Sequence, residues 1–386
     1  MNNSKIWLSS PHMGGNEQKF VQEAFDTNWV APLGPNVNGL EKDLEEYLGN
    51  QACVGVLSSG TAAIHLGLIL LDVKAGDEVI CQSMTFSASA NPILYQGAIP
   101  VFVDSELDTW NLCPVALEEA IIDRMAKGKK PKVIIAVHLY GVPYKVDEIR
   151  AVADQYEIPI LEDSAEALGS NYKGQKCGTF GDIGILSFNG NKIITTSGGG
   201  AIVTKTKEWK EKSVFYATQS RDEAPHYEHS EIGYNYRMSN ICAGIGRGQI
   251  EVLDNHVSLR RAMHDFYVDL FKDIAGITVF TVPNADYFAN YWLSSITINP
   301  EVTNGIDRET MRLAFEAVNI ECRPLWKPMH LQPIFEKHPY YGANVAATLF
   351  EKGLCLPSGS NLTDDERFRI KAAVNHLFDP NSKNNH

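Results

Sequence analysis

Between residues 15 and 205, short apolar runs rich in β-branched residues alternate with segments of helical spacing, and this rhythm limits the fold more than any other feature of the chain. The runs fall at 52–57, 78–82, 100–103, 132–138, 158–162, 183–188 and 201–205. Most are apolar without a break, as strands buried on both faces must be. The segments at 18–27, 40–48, 61–71, 114–124 and 146–156 space their apolar residues three and four apart, so each predicts a helix with one buried face. Strands that alternate with helices read as βαβ units around a seven-stranded, mostly parallel sheet.

A second regime begins near Asn240. Residues 243–273 read as one or two long helices with Ile250, Leu253, Val257, Met263, Phe266 and Leu270 as packing positions, a strut between two parts of the chain. An extended pair (277–282, 291–298), a helix at 307–318, a Pro-rich stretch at 323–333 and a helix at 364–377 follow. The expected organisation is a large α/β domain over 1–250, with an N-terminal arm, and a smaller C-terminal α+β domain over 251–386. The polar tail DPNSKNNH is expected to be disordered.

Composition narrows the function. With 34 Lys and Arg against 47 Asp and Glu, the net charge is −13. No dense basic block is present, which argues against nucleic acid or an acidic membrane as a main partner. The seven cysteines are scattered without a C-x-x-C pair, so neither a disulfide framework nor a zinc cluster is indicated and no metal site is expected. No apolar stretch approaches the length that spans a bilayer, and the first residues lack the pattern of a secretion signal. A reducing cytoplasm is the expected location.

Three stretches hold residues suited to chemistry. Ser58-Ser59-Gly60-Thr61-Ala62-Ala63 joins a strand to an apolar helix, and the unpaired N–H groups of such a helix start can cradle an anion. Taken alone, the same residues suit an ordinary N-cap better, and no Gly-Lys-Ser/Thr makes them a nucleotide loop. Leu161-Glu162-Asp163-Ser164-Ala165-Glu166 sets acids at the C-terminal end of a strand, where open α/β sheets bind ligands. Asp163 there suits a helix cap or the partner of a protonated heterocyclic nitrogen. Ser187-Phe188-Asn189-Gly190-Asn191-Lys192 closes a further strand, and Lys192, flanked by Asn191 and followed by Ile193-Ile194, is placed to act as a carbonyl nucleophile forming a Schiff base. His226 and His229 have no further ligand cluster and fit a covering loop better than a metal.

A phosphate cradle, an acid for a pyridine nitrogen and a Schiff-base lysine are the parts that pyridoxal phosphate chemistry requires. Their order resembles the fold-type-I aminotransferases of the DegT/StrS family, which act on nucleotide-linked keto sugars, from Pro11 to the Pro-Ser-Gly at 357–359. The resemblance implies that Lys192 carries pyridoxal 5'-phosphate and that Asp163 pairs with its pyridine nitrogen. It implies further that Ser59, Gly60, Thr61 and Ser187 hold the phosphate, and that Phe86 stacks on the ring. Asn235, in Gly233-Tyr234-Asn235-Tyr236-Arg237, matches an asparagine reaching the phosphate from a neighbouring subunit, so a homodimer with shared sites is implied. Glu166 stands where the commonest pattern has Gln facing the ring hydroxyl.

That departure, and the stretches at 28–34, 190–200 and 323–330, resemble the UDP-4-keto-6-deoxy-GlcNAc C4 aminotransferases of bacillosamine biosynthesis. Asn28, Trp29, Val30, Ala31, Ser59, Arg323, Pro324, Leu325 and Trp326 would then line the sugar-nucleotide pocket, with His330 nearby and L-glutamate as amino donor. GDP- or dTDP-linked sugars, or a non-catalytic cofactor-binding protein, are the alternatives. Related dehydratases carry His at the lysine slot, which Lys192 argues against, and the absence of G-x-G-x-x-G argues against a nicotinamide enzyme.

Overall fold

The structure, a computed structural model, describes residues 4–49 and 51–378, so the tail expected to be disordered lies outside the described residues. The chain begins with α1 (Glu17–Asp26), α2 (Pro35–Leu48), β1 (Cys53–Leu57), α3 (Gly60–Leu70), β2 (Glu78–Gln82) and α4 (Ser87–Tyr95). There follow β3 (Ile99–Val103), α5 (Pro114–Ala126), β4 (Val133–Val137), α6 (Val146–Gln155) and β5 (Ile160–Asp163). A small hairpin, β6 (Asn171–Tyr172) and β7 (Gln175–Lys176), precedes β8 (Ile183–Ser187), β9 (Gly200–Thr204) and α7 (Lys207–Ala217). The second half holds α8 (Asn240–Ile250), α9 (Leu253–Phe271), β10 (Ile277–Val279), β11 (Tyr287–Phe288), β12 (Ser294–Ile298) and α10 (Arg308–Ala317). It ends with β13 (Arg323–Pro324), β14 (Tyr340–Tyr341), α11 (Val345–Lys352), β15 (Gly353–Leu356) and α12 (Asp364–Phe378).

All seven expected strands form and lie in one sheet of order β1-β9-β8-β5-β4-β2-β3-β14. Only β9 runs against its neighbours. The sheet has eight strands where seven are expected, because Tyr340–Tyr341 adds to the free edge of β3 in parallel. Two residues carry no periodicity, and this pairing is held from outside the strand: the His330 ring stacks on Tyr340 at 3.7 Å and its Nδ1 lies 2.7 Å from Ser83 Oγ.

The alternation of side chains along β4 shows why its run is unbroken. Val133, Ile135 and Val137 enter a core shared with Ile64, Leu66 and Leu68 of α3. Ile134 and Ala136 enter a second core with Leu117 of α5 and Ile149 of α6 on the opposite face. Three helices escape the spacing argument, the short α11 among them. Pro92 interrupts the pattern of α4, and α7 buries little beyond Ser213 and Ala217.

The long helical stretch divides at Glu251–Val252 into α8 and α9. Glycines on α8 let it lie against α1 with backbones in contact, since a Cβ at Gly248 would sit 2.5 Å from Glu17 N. A second sheet, β10-β12-β15-β13, is wholly antiparallel. Its core unites Met263 and Tyr267 of α9, Phe315 of α10 and Ile370 of α12 with Ile6 from the N-terminal stretch. Among the described residues no helix is long and apolar enough to cross a membrane.

The start of α3 abuts β9 so closely that a Cβ at Gly200 would lie 2.4 Å from Gly60 N and from the Ser59 carbonyl carbon. Gly200→Ala must therefore move backbone, and we expect a loss of about 2 kcal/mol or more in urea denaturation, with the slope unchanged. Wild-type stability in that variant would show that the contact is not tight.

Candidate active site

A cavity of about 540 Å³ opens at the C-terminal ends of the parallel strands, bounded on the far side by Trp292 and Leu293 just before β12, by β13 and by β15. Strand alternation puts Asp163 into it and turns Glu162 away. Asp163 is 4% exposed, and its carboxylate accepts from Ser89 Oγ at 2.6 Å and from Ala165 N at 3.1 Å. Glu162 belongs to a separate knot under the opposite face. With His138 and Cys177 it brings three ligand-type atoms within 4.8 Å of one another. Its oxygens are nonetheless engaged: Oε1 accepts from His138 Nε2, Ser164 Oγ and Gly178 N, and Oε2 from Phe180 N and Gly181 N. That carboxylate grips a peptide loop. His226 and His229 are exposed.

At the cavity's inner edge, Ser59 caps α3 by accepting from Ala62 N at 3.0 Å. The cap leaves the N–H groups of Gly60 and Thr61 without intrahelical acceptors, beside Ser187 at the end of β8. Gly60 is needed for that approach, because a Cβ there would meet Ser187 Cβ at 3.0 Å. Lys192 enters from the loop between β8 and β9. Its side chain is 11% exposed, its Nζ lies 3.2 Å from Glu166 Oε1 and 4.4 Å from the centre of the Trp292 ring. Phe86 and Trp326, ring centres 5.6 Å apart, form an aromatic wall. An anion-binding helix start, a buried carboxylate, a buried amine and an aromatic plate in one cavity are the fittings that a phosphorylated pyridine aldehyde requires, and the residues fit that cofactor.

Of the expected residues, the cavity gathers Ser59, Gly60, Thr61, Phe86, Asp163, Glu166, Ser187, Lys192, Arg323, Pro324 and Trp326. It does not gather the rest. Asn28, Trp29 and Val30 are exposed, and the main chain of 29–31 docks on the start of α8, Asn240 Nδ2 donating to Trp29 O and Asn240 N to Ala31 O. Asn235 is exposed and bridges to Thr218. Leu325 is core, and His330 belongs to the clasp on β14. Sequence reasoning also missed Trp292, Ser89 and Tyr140. Tyr140 adopts φ 54°, a strained value for an aromatic residue, and so presents its N–H to Glu166 Oε2 at 3.0 Å and its hydroxyl oxygen to Trp326 N at 2.9 Å. No motif flags any of the three.

Burial pushes the Glu166 carboxyl up to about 6; the Lys192 charge opposes this and that of Asp163 adds to it. A carboxyl raised on folding binds more protons in the folded than in the unfolded chain between its ordinary value and the raised one. Its contribution to stability is therefore lost as pH rises through about 4.5 to 6. Unfolding of cofactor-free protein is expected to show Glu166→Gln gaining on wild type by roughly 2 kcal/mol between pH 4.5 and 7.5. A constant difference between the two would remove Glu166 as a titrating group of the site.

Comparison with known proteins agrees with this geometry. The family model described as the DegT/DnrJ/EryC1/StrS aminotransferase family matches residues 11–375. EpsN of Bacillus subtilis (strain 168), provisionally assigned as a pyridoxal phosphate-dependent aminotransferase, is 50% identical over 97% of this chain and 96% of its own. GDP-perosamine synthase of Escherichia coli O157:H7 is 36% identical over 97% and 98%. Among solved structures, the provisionally assigned sugar aminotransferase Spr1654 of Streptococcus pneumoniae in its PLP form superposes with a TM-score of 0.88 at 26% identity, covering 97% of this chain and 98% of its own. Because the matched span takes in both sheets and every strand end around the cavity, the chain belongs to the DegT/DnrJ/EryC1/StrS aminotransferase family and is a pyridoxal phosphate-dependent sugar aminotransferase.

Proposed function

We propose that this enzyme moves the amino group of L-glutamate onto the C4 ketone of a UDP-linked 4-keto-6-deoxy-N-acetylhexosamine. The product would be UDP-4-amino-4,6-dideoxy-GlcNAc for a bacterial glycan of bacillosamine type. The observation that carries the transamination is the convergence of Lys192, Asp163 and the α3 start on one cavity. The sugar assignment rests on the resemblance of residues 28–34, 190–200 and 323–330. A GDP-linked sugar is the second reading, favoured by the 36% identity to a GDP-perosamine synthase.

When bound, pyridoxal phosphate supplies an aldehyde that exchanges with amines and a ring that accepts carbanion charge. Gly60 and Thr61 N–H with the Ser187 hydroxyl would hold its phosphate, and Lys192 Nζ would be the attachment point. Asp163 would pair with the pyridine nitrogen and keep a proton on it; Ser89 and the Ala165 N–H orient that carboxylate. Lys192 Nζ, once free, would take the proton from the donor carbon as a base and, in the sugar half-reaction, move a proton between the cofactor and the sugar carbon as base and acid. Phe86 would stack on the cofactor ring, with Trp326 beside it in the same aromatic wall. Arg323, 2.7 Å from Glu321 on the cavity wall, meets the anionic end of the sugar nucleotide.

We further propose a homodimer, supported by the exposed apolar side chains of Trp29, Val30, Leu33 and Ile232 near the residues absent from the cavity of one chain. A second copy would bring Asn235 and the 28–31 stretch to it.

L-glutamate added to the holoenzyme is expected to exchange the yellow band for that of the amine form, and Lys192→Ala to lack the starting band. Retention of the band in that variant would overturn the role of Lys192. Asp163→Asn is expected to keep cofactor but lose about 100-fold in kcat, some 2.7 kcal/mol of transition-state stabilisation. In a panel of UDP-, GDP- and dTDP-linked 4-keto sugars, the UDP compound should give the highest kcat/KM; preference for GDP would decide for the second reading. Sedimentation should report twice the chain mass, and a monomer active at all concentrations would exclude shared sites.

A further inference from the structure

Helices α8 and α9 carry a stripe of buried polar groups that the proposed reaction does not use. Gln249, on α8, accepts from Thr195 N through Oε1 at 3.1 Å. His256, on α9, lies with Nδ1 3.3 Å from Ile193 O; a carbonyl can only accept, so Nδ1 carries the proton. One turn further, on the same helix face, stands Arg260.

Arg260 is fully buried, and every hydrogen bond it makes ends on a neutral oxygen. Nη1 donates to Trp292 O at 2.6 Å and Ser358 O at 3.2 Å, and Nη2 to Ser9 Oγ at 2.9 Å. Its Nε has no partner among the described residues, and no carboxylate forms an ion pair with it there. Two of its acceptors lead to one atom. Ser9 Oγ donates to Asn191 O at 2.8 Å, and Trp292 Nε1 donates to the same oxygen at 2.6 Å.

The stripe thus holds residues 191, 193 and 195, and Lys192 lies between the first two. The Trp292 ring that Arg260 anchors by its carbonyl also lies 4.4 Å from Lys192 Nζ. A guanidinium without a counter-ion is a costly way to fill a core, and an apolar side chain of like volume would pack there at lower cost. A fork of donors that reaches three chain segments at once is something an apolar residue cannot supply.

We propose that Arg260 is a positioning residue for transamination: through Trp292 and Ser9 it fixes Asn191 O, and with it the direction from which Lys192 Nζ enters the cavity. The proposal rests on Lys192 being the cofactor-bearing lysine. Gln249 and His256 are the lesser members of the same grip.

The test uses holoenzyme and reads three quantities: the pH midpoint of the cofactor's visible band, kcat and KM for the L-glutamate half-reaction per bound cofactor, and the melting temperature. Arg260→Lys keeps the charge and loses the fork; Trp292→Phe keeps a ring beneath Nζ and loses the donor to Asn191 O. Both are expected to move the band's midpoint by about half a pH unit or more and to lower kcat about tenfold or more, with KM within about threefold, since misdirection of a reacting group acts on the chemical step. A lowered melting temperature with band midpoint and kcat unchanged would overturn the proposal and leave Arg260 a packing residue. Should Arg260→Lys not fold, Trp292→Phe alone decides in the same way. Lys192→Ala separates the two levels: a wild-type visible band there would refute the cofactor-bearing lysine itself, whereas its loss together with unaltered Arg260 and Trp292 variants would refute only the positioning role.

Discussion

The pairing of β5 between β4 and β8 is the constraint on which the site depends. In parallel register Val137 faces Asp163 and Asp163 faces Ile185, so β4 and β5 end together, β8 runs on to Ser187, and a carboxylate is delivered to the C-terminal edge of the sheet, where the cavity lies. The same alternation sends Glu162 to the other face. A slip of one residue would exchange the two, taking Glu162 from its five donors and Asp163 from Ser89 and the cavity. The short, unbroken apolar runs, packed on both faces, hold that register.

Several charges in this molecule are buried, and each is met in a different manner. Glu162 is compensated by five donors, most of them backbone or hydroxyl groups, and Asp163 by Ser89 and a backbone N–H. Glu166 and Lys192 face one another and are compensated only in part, which is why the Glu166 carboxyl is pushed up. Arg260 has neutral oxygens alone, and burial lowers its pKa to about 9. Glu162, away from the cavity, holds a loop. Near the cavity, incompletely compensated charges stay responsive to a bound group, the condition under which a side chain can exchange protons during turnover.

The second sheet contributes the opposite wall of the cavity and its aromatic lining. Trp292 precedes β12, Arg323 and Pro324 form β13, and Cys355 lies on β15; all of them face residues contributed by the large sheet. Tyr140 joins the two sides, since its amide meets Glu166 while its hydroxyl meets the Trp326 N–H. Its left-handed backbone is the conformation that allows both contacts.

Local pattern determined a large part of this protein. Seven strands, the helices with an apolar stripe, the acids at the end of one strand and the lysine after another could all be read from the chain, because burial on two faces and capping of a helix start are written in neighbouring residues. Tertiary structure decided what depends on distant residues meeting. The two-residue β14 has no period to detect and is fixed by His330 and Ser83, more than 240 positions apart in the chain. Within one chain His330 is engaged in that clasp, and the main chain of 29–31 docks on the start of α8, contacts that no local pattern announces. Trp292, Tyr140 and Arg260 carry no motif; their surroundings come from N-terminal, central and C-terminal segments packed together, and only folding brings these into contact.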